Sequence, residues 1–254
     1  MASEGTLADL CIVAAAEAWR GDGEVLASGM GVIPRIAAGL AALTFSPDLL
    51  LNDAECTLVR EPVPVGPRGD YRLKVEGWLP FRKVFHLLWS GKRHAMTVPT
   101  QLDRFGQCNI SAIGDPAKPK AQLLGVRGIP GNTINHACSF FVPNHSTRTF
   151  VERVDMASGV GHDPARWRPG MRKDFMDLRR VVTNLAVLDF SGPDNALKLL
   201  TVHPGVTVDQ VREQTGFPIV VEGEVGETPT PTAEQLRLIR EVLDPHGVRA
   251  SAVK

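Results

Sequence analysis

The amino-acid sequence predicts an α/β fold, an open and mostly parallel sheet flanked by helices, in one domain spanning residues 1–254. Three observations carry that expectation. Helical and strand-like stretches alternate from the N-terminus, an order that favours parallel strands joined by right-handed crossovers. Apolar runs such as Leu49-Leu50-Leu51 are too short for helices and suit strands buried on both faces. With 43% hydrophobic and 22% charged residues, the chain can form a sizeable core, and no stretch reads as a linker.

The elements follow in order. Leu7, Leu10, Cys11, Ala14 and Ala18 recur at helical spacing, with Thr6 placed to cap the helix and Gly21-Asp22-Gly23 to stop it. Glu24 to Ser28 reads as a strand, Gly29-Met30-Gly31 as a sharp turn, and Ile33 to Leu43 as a helix that tolerates Pro34 in its first turn. Leu49 to Leu51 then reads as a buried parallel strand. Phe85 to Trp89 fits a short helix or a strand. Ala95 to Val98, Asn109 to Ile113 and Ser139 to Pro143 read as strands, the last ended by its proline. Val181 to Phe190 and Ala196 to Val202 flank Ser191-Gly192-Pro193-Asp194 as an antiparallel hairpin. Thr207 with Gln210, and Thr232 with Gln235, have the spacing of capping boxes and open helices that reach Gly216 and Asp244-Pro245.

Composition narrows the function. The 28 Lys and Arg residues balance 28 Asp and Glu, which argues against a nucleic-acid binder or a polybasic membrane anchor. Acidic Glu4 and Asp9, and the break at Glu17 and Arg20, argue against a signal peptide. No apolar run reaches the length of a membrane span. Cys11, Cys56, Cys108 and Cys138 form no CxxC pair and read as reduced core thiols of a cytoplasmic protein. His94, His136, His145 and His203 lack the spacing of metal ligands, so no metal is expected.

Three loops could carry chemistry. Asn52-Asp53-Ala54-Glu55 directly follows the Leu49–Leu51 strand, and ligands of open α/β sheets bind beyond the carboxyl ends of strands. A carboxylate of Asp53 or Glu55 could act there as nucleophile or base; a solvated polar loop is the plainer alternative. In Gly125-Val126-Arg127-Gly128-Ile129-Pro130-Gly131-Asn132, glycines at positive φ, Gly128 among them, would let the backbone approach a ligand and donate to an oxyanion. Arg127 could add a charged contact, although a plain turn fits as well. The third loop, Gln101 to Asn109 with Asp103 and Gly106, reads as a hydrogen-bonded loop holding a site in shape, or as a tight turn.

These same loops resemble a known family. Gln101-x-Asp103-x-x-Gly106-x-x-Asn109, Ile113-Gly114-Asp115, Lys118-Pro119-Lys120, the Gly125–Gly131 loop, Arg148-Thr149-Phe150-Val151 and Val154-Asp155 resemble the β subunit of glutaconate-type, class I CoA-transferases. Gly29-Met30-Gly31, Thr215-Gly216-Phe217 and Ile239-Arg240 with Asp244-Pro245 extend the likeness, in order, over nearly the whole chain. The resemblance implies the CoA-transferase type of α/β fold and a homologous α subunit, paired as αβ and assembled as α2β2, with the active site between subunits. It also implies an acyl-CoA substrate, coenzyme A entering as part of it with no separate cofactor.

In the transferases a Glu followed by Ser-Gly or Asn-Gly attacks the acyl-CoA. Here the glutamate slot falls on Asn52 or Ala54, and an amide cannot form the covalent thioester. The sequence is similar instead to a branch of the family that hydrolytically opens a ring of a cyclic-ketone CoA thioester in cholesterol degradation. That retro-Claisen-like reaction needs a base for water, oxyanion donors and a stabilised enolate, but no protein nucleophile. The resemblance assigns Asn52, Asp53 and Glu55 to catalysis, with the principal acid/base on the α subunit. It assigns Gln101, Asp103, Gly125, Arg127, Gly128, Gly131 and Asn132 to substrate binding. A CoA-transferase that uses Asp53 or Glu55 as nucleophile, or an acyl-CoA sensor without turnover, are the competing readings.

Overall fold

The computed structural model describes residues 5–53 and 57–253. They fall into two compact units, Met1–Thr97 with Pro229–Lys254, and Val98–Thr228.

The first unit opens with α1 (Leu7–Ala16), capped as its sequence predicts: Thr6 accepts from the Asp9 amide at 3.2 Å and Asp9 accepts from the Thr6 amide at 3.0 Å. Ala8 through Ala16 are all buried, so this helix is wrapped by the unit and not laid on its surface. A 3-10 turn (Glu17–Trp19) continues it, and Gly21 ends it at φ 78°. Next come β1 (Leu26–Gly29), α2 (Val32–Thr44), β2 (Leu51–Asn52), β3 (Thr57–Val59), β4 (Val75–Trp78), α3 (Phe81–Ser90) and β5 (Arg93–Thr97).

Strand β1 pairs in parallel with β5, from Leu26 opposite Arg93 to Gly29 opposite Met96. The Leu49–Leu51 run does two jobs. Leu50 bridges Leu26 in parallel, as expected, but Leu51 and Asn52 turn away to pair antiparallel with β3, which pairs in turn with β4. The ambiguous stretch at Phe85 is helical. Its residues Phe81, Phe85 and Trp89, at i, i+4 and i+8, lie exposed on one side of α3.

An ionic staple closes this unit. Asp9, with 0% exposure, accepts from Arg240 and from Arg249 at 2.7 Å each, and Arg249 also reaches Asp244 at 2.9 Å. Burial works against the Asp9 charge, but the bonds from Arg240, Thr6 and Arg249 outweigh it and hold the carboxyl below its ordinary range.

The second unit begins with two small antiparallel pairs, β6 (Gln101–Leu102) with β7 (Cys108–Asn109), and β8 (Ala112–Ile113) with β9 (Ala121–Gln122). The expected single strand from Asn109 to Ile113 is broken by Asn109 itself. Its side-chain oxygen accepts from the Ser111 amide at 2.9 Å and its Nδ2 donates to the Ala112 carbonyl at 2.7 Å, which bends the chain. After α4 (Ile129–Asn135), β10 (Ala137–Val142) pairs in parallel with β11 (Asp177–Thr183). β12 (Ala186–Asp189) and β13 (Lys198–Val202) follow antiparallel, then α5 (Val208–Glu213) and β14 (Gly226–Glu227). The predicted hairpin is the β12–β13 pair. The Val181–Phe190 run divides into β11 and β12, because the Thr183 hydroxyl accepts from the Leu185 and Ala186 amides and turns the chain. Both capping boxes form.

Phe140, Phe150, Val181, Leu188 and Phe217 anchor the core of this unit. Cys11, Cys108 and Cys138 are buried and form no disulfide with one another, and burial pushes the Cys11 and Cys108 thiols up to about 12. Cys56 lies outside the described residues. No helix among the described residues is long and apolar enough to cross a membrane.

Two measurements test these packing claims. Asp9→Asn removes the buried charge that Arg240 and Arg249 share, leaving Arg249 with Asp244 alone, a loss expected to cost roughly 3–5 kcal/mol in denaturant unfolding. His145 is the second case. It stacks on Phe150 at 4.0 Å between the Thr183 and Thr215 hydroxyls, and burial lowers its pKa from 6.5 to about 3. The unfolded chain takes up a proton as pH falls below that ordinary value while the folded chain does not. Stability should therefore fall with pH across this window by about 1.4 kcal/mol per pH unit. His145→Gln should flatten that slope; an unchanged slope would remove His145 as its source.

Candidate active site

The first unit contains a cavity of about 200 Å³ at the carboxyl ends of β1 and β2. Ser28, Gly29 and Met30 line it from the β1 turn, Asn52 and Asp53 from β2, Arg35 from α2 and Arg93 from β5. The turn is tight: a Cβ on Gly29 would stand 2.3 Å from the Pro34 carbonyl oxygen, so only glycine fits. Gly31 caps α2 at φ 108° with no side-chain hydrogen bond.

Asp53 is fully buried. Its Oδ1 accepts from the Thr57 amide at 3.3 Å, and its Oδ2 lies 3.3 Å from the Arg68 guanidinium. It is an anchored anion. Asn52 is half-buried, and its side-chain amide makes no hydrogen bond to a described residue. Glu55, the third expected catalytic residue, lies outside the described residues, as does Ala54. Arg93 is buried and donates to the Ser28 hydroxyl at 2.9 Å. Arg35 is half-buried, and its guanidinium has no hydrogen bond or ion pair among the described residues. Burial and the Arg68 charge push its pKa down, and Asp53 acts in the other direction.

The other expected residues belong to the second unit. Gln101 is buried; its Nε2 donates to Asp155 at 3.1 Å and its Oε1 accepts from Asn109 at 2.8 Å. Asp103 is buried as well, accepting from the Phe105 amide at 2.9 Å, the Gln107 amide at 3.0 Å and the Gln107 side chain at 2.8 Å. Burial raises its pKa against those bonds. Both side chains hold the loop, as the plainer reading of that stretch expected. Asp103 also lines a second cavity of about 490 Å³ with Arg104, Phe105, Glu152 and Arg166.

The glycine-rich stretch differs from expectation in three respects. Gly131 and Asn132 lie inside α4, not in a loop. Asn132 is buried, with its Oδ1 3.2 Å from the His136 ring one turn along, so it braces the helix. Gly128 has φ −88°, a conformation open to any residue; the positive angles belong to Gly125 at 80° and Arg127 at 46°. Arg127 is exposed, and its backbone lies in the left-handed region.

Comparison with known proteins decides the family. The chain is 46% identical over 248 residues to the cholesterol ring-cleaving hydrolase IpdB subunit of Rhodococcus jostii, covering 97% of this chain and 96% of the relative. It is 44% identical over 250 residues to the IpdB subunit of Mycobacterium bovis, covering 98% and 99%.

The chain belongs to the IpdB family.

Its fold agrees with the crystal structure of Rhodococcus jostii IpdAB at a TM-score of 0.92 and 45% identity, over 99% of this chain and 100% of that one. The β subunit of 3-oxoadipate CoA-transferase from Pseudomonas knackmussii is 30% identical over 91% of both chains, which places IpdB subunits among the CoA-transferase β subunits. Glutaconate CoA-transferase from Acidaminococcus fermentans shares the fold at a TM-score of 0.82 and 24% identity. No family model matches the chain. The CoA-transferase type of α/β fold expected from the motifs is therefore the fold of this IpdB-family chain.

Sequence reading missed Ser28, Arg35 and Arg93. A signal existed for Arg35, the one charged residue in the apolar run of α2.

Substitution in the glycine-rich stretch should follow the backbone angles. Gly125→Ala forces a Cβ into the left-handed region, a strain of roughly 1–2 kcal/mol that thermal unfolding will register. Gly128→Ala should be close to neutral; equal losses would contradict the loop geometry.

Proposed function

We propose that this chain is the β subunit of a hydrolase that opens a ring of a cyclic-ketone CoA thioester in cholesterol breakdown, active with a homologous α subunit. Full-length identity of 46% to an IpdB subunit carries the proposal. The cavity supports it, because Asn52 lines it with an amide that makes no hydrogen bond to a described residue, in the stretch where the glutamate slot of the transferases falls on Asn52 or Ala54.

The chemistry follows from what an amide can do. A base removes a proton from water, and the oxygen adds to the ring ketone. The ring carbon–carbon bond then breaks, leaving a carboxylic acid on one side. Its electron pair passes to the other carbon as a thioester enolate, which takes a proton. Asn52 donates to developing negative charge, a role whose loss costs roughly 10²–10³-fold in rate at comparable sites. Asp53, buried and held by Arg68, is poorly placed as a base, which favours a base from the α subunit with Glu55 as the local alternative.

Coenzyme A enters as part of the substrate, no separate cofactor is invoked, and the setting proposed is cytoplasmic, where buried cysteines stay reduced. An α partner, in an α2β2 assembly, accords with Trp78, Phe81 and Trp89 at 76%, 70% and 71% exposure, since isolated chains rarely leave such aromatic groups open.

The likeness to the β subunit of a CoA-transferase keeps one other reading in view, in which Glu55 or Asp53 is acylated. Water labelled with ¹⁸O separates the two. The hydrolase places label in the new carboxylate and passes no CoA to an acceptor acid. Asn52→Ala should lower turnover of the αβ complex by about 10²-fold without unfolding it, and Asn52→Glu should not raise turnover. Rapid CoA exchange by the wild-type complex, abolished by Glu55→Gln, would replace the hydrolase with a transferase. Either subunit alone should be inactive.

A further inference from the structure

Helix α3 has almost nothing of its own chain beneath it. From Phe81 to Ser90 only Leu88 is buried, while Phe81, Phe85 and Trp89 stand exposed along one side. Phe81 and Phe85 meet edge to face with centroids 5.8 Å apart, so their rings share one apolar surface. Trp78, three residues before the helix, is exposed as well. A helix of ten residues is marginal in water by itself, and one buried leucine adds little. The segment calls for a cover.

Charge says what kind of cover. Between Pro80 and Lys92 the chain carries Arg82, Lys83, His86 and Lys92 and no acidic residue. Arg82 and Lys83 are exposed and have no ion pair among the described residues. Arg82 precedes Phe85 by three residues and His86 by four, so it borders the aromatic stripe on the helix surface. A second copy of this chain would bring the same cations to the contact, where like charges repel. A face with an apolar centre and an acidic rim meets both demands.

Placement says whose face it is. Strand β4, which ends at Trp78, pairs with β3, and β3 pairs with β2, whose Asn52 lines the cavity. At its other end α3 passes through Gly91 into β5, whose Arg93 lines the same cavity. The aromatic surface is thus joined on both sides to segments of a site that, in the reading above, takes its principal base from the α subunit.

We infer that the stripe of Phe81, Phe85 and Trp89, with Trp78, is the seat of the α subunit, and that the α surface it meets is apolar with an acidic rim. The inference rests on the αβ reading for the identity of the partner and adds the surface and its chemistry.

The test compares the full chain with the αβ complex. Hydroxyl radicals should oxidise Trp78 and Trp89 in the wild-type chain, and the α subunit should protect both. Phe81→Ser and Trp89→Ser should each raise the Kd of the complex about tenfold or more. Thermal unfolding of the chain alone should not change, because neither side chain is buried in it. Added salt should weaken the wild-type complex, and Arg82→Glu with Lys83→Glu should weaken the complex and remove that salt dependence. Tryptophans still oxidised in the complex, or an unchanged Kd in the serine variants, places the α subunit elsewhere and overturns the inference. A dimer of the chain formed through α3, or binding to phosphatidylglycerol vesicles that Trp89→Ser abolishes, overturns it too, with a second copy or a lipid surface as the occupant. If the variants do not fold, the wild-type footprint decides. A complex assembled through α3 that opens no ring defeats the hydrolase reading and leaves this interface in place; a ring-opening complex with α3 still exposed does the reverse.

Discussion

The contact between Gly29 and the first turn of α2 sets the geometry on which the candidate site depends. A methyl group at that position would collide with the Pro34 carbonyl, so the strand end and the helix start stand at backbone contact. The Met30 amide then bonds the Met96 carbonyl at 2.9 Å and ties the turn to β5. With both ends fixed, α2 must present Arg35 to the space that Ser28 and Met30 also line. Arg93, opposite Leu26 in the parallel register of β1 with β5, reaches the same lining through its side chain, which donates to the Ser28 hydroxyl. A catalytic pocket needs side chains that are held before the ligand arrives, and here backbone contacts do the holding.

Much of this was legible in the sequence where local physics decides structure. The three capping boxes, the helices they open, the β1 turn and the β12–β13 hairpin follow from side chains and backbones within a few residues of one another. Periodicity failed where a polar side chain overrode it. Asn109 and Thr183 each sit in apolar or mixed runs that read as single strands, and each turns the chain by bonding amides just ahead of it. The site was legible only in part. Asn52 and Asp53 follow an apolar strand, which is visible locally. Arg35 and Arg93 reach the cavity through the pairing of β1 with β5 and the lie of α2, and those depend on contacts distant in sequence. Gln101, Asp103 and Asn132 drew attention as polar residues near glycines; Asp103 and Asn132 bond within their own loop and helix, and Gln101 ties its loop to Asp155.

Asn52, at the end of β2, brings an amide to the lining of the cavity. Glutamate offers an electron pair for bond formation; asparagine offers N–H donors and a neutral dipole. In a cavity already furnished with Arg35 and Arg93, a neutral residue leaves the positive potential intact for anions of the substrate and of the transition state. A glutamate at that spot would offset it.

The staple on Asp9 has a consequence for how the chain comes off the ribosome. The partners of this N-terminal carboxylate are Arg240 and Arg249, and the residues between them include the whole of the Val98–Thr228 unit. The continuous unit can therefore collapse while α1, though already synthesised, still carries a buried-type aspartate with no cation beside it. During that interval the apolar faces of α1 and α2 depend on chaperones or on provisional contacts. The segment made first thus cannot complete its ion pairs until the segment made last has emerged.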